Sequence, residues 1–126
     1  MIAIGFLHSY IPSFLWMVVT IVGSFLSTSE TPSIYLNDKL LHFLIYFFFT
    51  ILLYIARVND VKRRASTISR LFFVITIPFV VGVSVEFTQY YFIASRQGEI
   101  LDVIANTLGI ILAVTLGEKL KAKVIL

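Results

Sequence analysis

The sequence predicts an all-α fold: a polytopic membrane helical bundle of four transmembrane helices with both termini cytoplasmic. Three observations predict it. Hydrophobic residues make up 59% and charged residues only 13%, against roughly 25% charged in a soluble domain. A chain of 126 residues, one domain by length, has too little interior to hide that much apolar surface from water. Four apolar segments, at about 6–27, 40–56, 71–94 and 100–117, fall within the range of roughly 17–25 residues that crosses a bilayer as a helix. In hydrocarbon every backbone polar group must be satisfied internally, and four segments are too few for a barrel, so helices remain.

The first segment is preceded by no Lys or Arg, only by the terminal amine, and carries His8 and an early Pro12. That pattern reads as a retained helix rather than a cleaved signal peptide. The second segment is rich in aromatics, and Phe43, Phe47, Phe48 and Phe49 are read as lipid-facing or packing residues. In the third, Pro78 removes one backbone hydrogen bond and predicts a kink. Gly82 permits close helix packing there, and Tyr90, Tyr91 and Phe92 form an interfacial belt at the segment's end. In the fourth, Gly109, Ala113 and Gly117 recur every four residues and present one small-residue face for packing inside the bundle.

Orientation follows from the basic residues. Arg57, Lys62, Arg63, Arg64 and Arg70 lie around the second loop, and Lys119, Lys121 and Lys123 in the C-terminal tail. Four spans put both groups on one side, which the positive-inside rule makes cytoplasmic. Lys39 and Arg96 fall on the other side, so the first and third loops face outward. This topology accounts for the net charge of +3 without a nucleic-acid partner, for which no motif is present. The absence of cysteine excludes disulfides, thiolate metal sites and cysteine nucleophiles.

The polar residues gather on the outward side. Asn37, Asp38, Lys39 and His42 open the second helix, and Glu86 and Gln89 come near the end of the third. Ser95, Arg96, Gln97 and Glu99 fill the third loop, and Asp102 and Asn106 open the fourth helix. From the helical rise, Glu86 and Asn106 each sit roughly 12 Å in from the outer end and His42 about 7 Å in. Asp38, His42 and Tyr46 share one helix face, as do Asp102 and Asn106. An ionisable group at the bilayer centre costs at least about 2.5–3.5 kcal/mol, so such faces turn inward to a shared outward-opening pocket. The inner half of each helix reads as almost wholly apolar.

Three blocks of residues resemble the VanZ-like membrane family. They are Asn-Asp-Lys-Leu-Leu-His-Phe at 37–43 followed by Tyr46, Glu-Phe-Thr-Gln at 86–89, and the stretch from Arg96 through Glu99, Asp102 and Asn106 to Gly109. The resemblance covers about positions 37–117, with the first helix as a weaker leader, and implies a single VanZ-like transmembrane domain over residues 1–126. It implies a multi-pass protein of the bacterial cell membrane. The founding member is associated with low-level resistance to the glycopeptide teicoplanin.

These readings set the functional expectations. Lys39, His42, Glu86, Gln89, Arg96, Asp102 and Asn106 are the candidate ligand-binding set. Lys39 and Arg96 suit a phosphate. The expected partner is a membrane lipid, a lipid-linked envelope precursor or the glycopeptide itself, with a homo-oligomer as a further partner. The role would be in glycopeptide resistance or envelope homeostasis. A membrane-embedded enzyme acting on a phosphate- or acyl-bearing lipid is the first alternative, with Asp38, His42, Glu86 and Asp102 as acid–base or nucleophilic candidates. His42, Glu86 and Asp102 are weak candidates for a metal, and no cofactor is expected. No Ser or Cys nucleophile motif, zinc-protease motif or phosphate-binding glycine loop is present. A small transporter or flippase with Glu86 as proton carrier, or a structural membrane partner, completes the set.

Overall fold

A computed structural model describes residues 2–26, 35–59, 66–92 and 100–125, with side chains for 8–25, 38–59, 66–92 and 100–121. The described residues form four helices: α1 (Ile2–Leu26), α2 (Tyr35–Asn59), α3 (Thr67–Phe92) and α4 (Ile100–Ile125). At 25 or 26 residues each, they are about 38 Å long, enough to cross a hydrocarbon core of about 30 Å. All four contain a window long and apolar enough to span a membrane.

The helices extend past the apolar runs that mark them in the sequence. α2 starts at Tyr35 and α4 runs on to Ile125. Apolarity ends where lipid ends, but helical hydrogen bonding does not. Asp38 and Asp102 lie in first turns and Arg57 in a last turn, where each complements the helix dipole. The Leu, Lys and Ala residues of the tail are good helix formers. α3 begins behind a cap: Ser69 N–H donates to Ser66 Oγ at 3.2 Å and Arg70 N–H to the Ser66 carbonyl at 3.0 Å. α3 continues through Pro78, which is buried. Hydroxyls inside the spans fold back on their own helix, as in Thr20 to the Trp16 carbonyl (2.8 Å) and Thr107 to the Val103 carbonyl (2.7 Å). In lipid this satisfies a donor that has no water to meet.

The helices alternate in direction. Lys39 meets Asp102, His42 meets Asn106, and Tyr54 meets Glu118, so α2 and α4 run parallel. α3 runs against both, with Glu86 beside His42 and Arg70 beside Glu118. α1 runs against α2, Trp16 Nε1 donating to the Ile45 carbonyl at 3.0 Å. α1 therefore begins, and α4 ends, at the same end of the bundle. The α2–α4 pair is the spine, α1 packs mainly on α2, and α1 barely touches α3.

The small-residue face of α4 makes that spine close. A Cβ at Gly109 would lie 2.3 Å from the Phe43 carbonyl oxygen, and one at Gly117 would lie 2.9 Å from the Tyr54 ring. Ala113 between them is fully buried. Two apolar clusters fill the rest of the interior. Tyr46, Phe49 and Ile110 pack with Trp16, Met17, Ile45, Ile77 and Val81; Tyr54, Val74 and Val114 pack with Leu71 and Phe73. Large apolar side chains such as Phe14, Leu15, Phe72, Val80 and Ile111 point outward. Water would penalise that surface; a bilayer does not.

Candidate functional site

The first turns of α2 and α4 and the last turns of α3 meet at one end of the bundle. Because α2 and α4 are parallel and in close register, their N-terminal polar residues face each other instead of lying at opposite ends. Asp38 and Lys39 sit at the rim and His42 one turn below on the same face of α2. Asp102 and Asn106 sit one turn apart on α4. Glu86 comes up from α3. His42, Glu86, Asp102 and Asn106 are buried, and Asp38 and Lys39 are half-buried.

His42 is the centre of the arrangement. Its Nδ1 lies 3.2 Å from Asn106 Oδ1 and 3.8 Å from Glu86 Oε1. Its Nε2 lies 3.9 Å from Asp38 Oδ1 and 3.7 Å from Asp102 Oδ2. Asn106 Oδ1 is placed to accept from Nδ1, and Nε2 faces the two aspartates. Lys39 Nζ contacts Asp102 Oδ1 and lies 3.9 Å from Asp38 Oδ2. Each aspartate therefore turns one oxygen to Lys39 and the other to His42 Nε2. Gly82 of α3 is what lets Asn106 and Tyr46 come in so near: a Cβ there would lie 3.1 Å from Asn106 Nδ2 and 3.2 Å from Tyr46 Cε1.

A groove of about 250 Å³ leads to this centre from the side, between α1 and α2. Trp16, Val19, Gly23, Leu41 and Ile45 give it apolar walls, and Asp38 and His42 close its polar end. Gly23 widens it, since a Cβ there would meet nothing within 4 Å. Gln89, buried on α3, donates Nε2 to the Ser24 carbonyl at 2.7 Å and fixes the end of α1 beside the site.

Of the residues singled out from the sequence, Asp38, Lys39, His42, Glu86, Asp102 and Asn106 come together, and Gln89 lies alongside with its amide on α1. Arg96, with Ser95, Gln97 and Glu99, lies outside the described residues. Among the described residues the grouping suited to a metal is Asp38, His42 and Asp102, whose ligand atoms lie within 4.8 Å of one another. Glu86, the third metal candidate from the sequence, stands on the Nδ1 side of His42, and Asp38 on the Nε2 side.

The opposite end carries a second polar cluster, just beyond the apolar spans read from the sequence. Glu118 Oε1 accepts from Arg70 Nε (3.0 Å), Arg70 Nη2 (2.9 Å) and Tyr54 OH (2.8 Å), joining α2, α3 and α4. Arg57 is buried with its guanidinium 4.6 Å from the centre of the Phe73 ring. Both arginines read from the sequence as loop charges. The signal for a different role was Glu118, an acidic residue in an otherwise basic tail at the depth of Arg70.

Long apolar helices, a lipid-compatible outer surface and a polar centre buried at one end define a multi-pass membrane protein. The sequence model of the VanZ/LLP1 family matches residues 6–120, and the chain belongs to that family. It is also similar to an uncharacterised protein of Schizosaccharomyces pombe, with 31% identity over 102 residues. That match covers 81% of this chain and 59% of the relative, so the chain spans little more than half of the protein it resembles. No solved structure matches the chain.

Proposed function

We propose that the protein holds the head group of a membrane amphiphile, which enters sideways from the lipid along the groove between α1 and α2. The observation that carries this reading is the groove itself: apolar walls for a hydrocarbon tail, ending on Asp38 and His42. A soluble ligand would gain nothing from those walls, whereas a lipid tail loses no hydration by lying in them. By the positive-inside rule the basic end around Arg57 and Arg70 is cytoplasmic and the polar centre faces outward. In a bacterial cell membrane, lipid-linked envelope precursors and lipid-tailed glycopeptides such as teicoplanin are outer-face amphiphiles of this chemistry. Engaging either would contribute to resistance or to envelope homeostasis.

The charge of the site refines the choice of head group. Among the described residues the carboxylates of Asp38, Glu86 and Asp102 outnumber Lys39 and His42 together, and Lys39 pairs with Asp102. Hydroxyl, sugar or amine donors suit this field directly, while a bare phosphate is repelled. The same atoms support the enzyme reading, with His42 as acid–base group and Asp38 or Asp102 orienting it.

The test is native mass spectrometry of the protein extracted in mild detergent, comparing wild type with Gly23→Leu and His42→Ala. Gly23→Leu puts a side chain into the groove from a position where the added Cβ meets nothing within 4 Å, so a retained lipid is expected to fall in occupancy while the protein stays folded. Equal lipid retention in all three would remove the reading.

A further inference from the structure

We propose that Asp38 Oδ1, His42 Nε2 and Asp102 Oδ2 form a binding site for one divalent metal ion of the zinc or manganese type. The ion would let this negatively charged centre accept a phosphate-bearing head group. The inference deepens the amphiphile reading, on which it rests for its substrate but not for its ligands.

Four observations converge on these three atoms. First, the distances from Nε2, 3.9 Å to Asp38 Oδ1 and 3.7 Å to Asp102 Oδ2, are too long for hydrogen bonds. Two ligands on a tetrahedral ion with bonds near 2.1 Å stand about 3.4 Å apart, so closing on an ion moves these side chains by less than about 1 Å. Second, Asn106, only 3% exposed, places an acceptor oxygen 3.2 Å from Nδ1, on the side of the ring away from the proposed ion. An acceptor on the far nitrogen is the usual companion of a metal-binding histidine. Third, Lys39 bridges the other oxygen of each aspartate. It holds the two carboxylates as a pair and offsets part of their repulsion without using the atoms that face Nε2. Fourth, Asp38, His42 and Asp102 each offer a ligand atom within 4.8 Å of the others.

The donor set decides the class of ion. One imidazole with two carboxylates suits a borderline transition ion, whereas calcium and magnesium favour all-oxygen sets. Three protein ligands leave a coordination position open, as in catalytic rather than structural zinc sites. Two added positive charges would offset the excess of carboxylate among the described residues, so that a phosphate oxygen would be attracted there instead of repelled. The groove between α1 and α2 reaches Asp38 and His42 directly, so a phosphate at the head of a lipid in that groove arrives beside the ion.

The experiment is a calorimetric titration of the full untagged chain, purified in mild detergent and stripped with chelator, with Zn²⁺ alone. One ion per chain is expected at micromolar concentration. His42→Ala and Asp102→Asn are expected to lose it, and Asp38→Asn, a substitution at the half-buried rim, to weaken it. Lys39→Gln moves the other way: removing a positive charge next to the ion tightens binding by about tenfold or more, where a purely structural cluster predicts no zinc binding at all. Elution volume and helicity check that each variant is folded. Dodecyl phosphate, used as the head-group probe, is expected to bind at least about tenfold more tightly with the ion present. Absence of saturable Zn²⁺ binding in both wild type and Lys39→Gln overturns the site, as does unchanged binding in His42→Ala. Dodecyl phosphate binding that ignores the ion overturns the phosphate assignment. Gly23→Leu separates the two proposals: it is expected to keep the ion and lose the lipid, so failure of the metal site leaves lipid retention intact and failure of the groove leaves Zn²⁺ binding intact.

Discussion

Replacing Gly109 by alanine tests the spine of the bundle and the site together. The added methyl would stand 2.3 Å from the Phe43 carbonyl oxygen, 3.2 Å from its carbon and 3.1 Å from the Phe47 nitrogen. An ordinary carbon–oxygen contact is about 3.3–3.6 Å, so α4 must retreat from α2 by roughly 1 Å. The obstacle is backbone within a helix and has no rotamer to escape into. Overpacking of that kind costs about 1–3 kcal/mol, and the rigid neighbour points to the upper end. Alanine regains about 1 kcal/mol of helix propensity over glycine, which leaves a net loss of about 2 kcal/mol. Because Gly109 lies one turn beyond Asn106, the same retreat pulls Asn106 and Asp102 away from His42 and Lys39. Denaturant unfolding in detergent micelles, followed by helicity, measures the loss. Gly23→Ala is the control, since its methyl meets nothing within 4 Å, and it should equal or exceed wild type. If Gly109→Ala unfolds within about 0.5 kcal/mol of wild type, the close α2–α4 packing is refuted.

Glu118→Ala is expected to destabilise the bundle by about 2–3 kcal/mol in the same assay, because it strips buried Arg70 and Tyr54 of a shared acceptor; Glu118→Gln, which keeps an oxygen there, should lose about half of that. Trp16→Phe should cost about 1 kcal/mol through loss of the indole hydrogen bond to the Ile45 carbonyl, with α1 the first helix to become protease-sensitive. Asn106→Ala is expected to weaken Zn²⁺ binding by about 10–100-fold without abolishing it, since it removes the group that orients His42 and leaves the three ligand atoms. The chain has no native cysteine, so single cysteines report topology directly. Ser69→Cys should be blocked only by thiol reagents that reach the cytoplasm, and Phe92→Cys by impermeant reagent from outside; the reverse pattern would overturn the proposed orientation.

The sequence by itself determined that this is a membrane protein with four spans, because hydrocarbon imposes a length and composition that no packing can evade. It also determined which residues are too costly to face lipid, and Asp38, His42, Glu86, Asp102 and Asn106 do meet inside the bundle. The three motif blocks carried the family, which the match over residues 6–120 establishes. The small-residue face of α4 was readable as packing, since glycine at that spacing has value only where another backbone comes close.

Only the tertiary structure decided the partners within the site. Spacing along one helix places Asp38 and His42 on one face, but the register of α2 against α4, set by Gly109 on the Phe43 carbonyl, decides that Asp102 faces Nε2 and Asn106 faces Nδ1. The lateral groove and the role of Gly23 in it depend on how α1 leans on α2, for which the nearly uniform apolarity of α1 offers no sign. Arg57 and Arg70 show the same limit from the other end. An arginine near the end of a span satisfies the positive-inside rule whether its side chain turns to water or inward to Glu118 and Phe73. Hydropathy measures what a residue costs in lipid; which neighbour offsets that cost is a matter of three-dimensional register, and no one-dimensional pattern contains it.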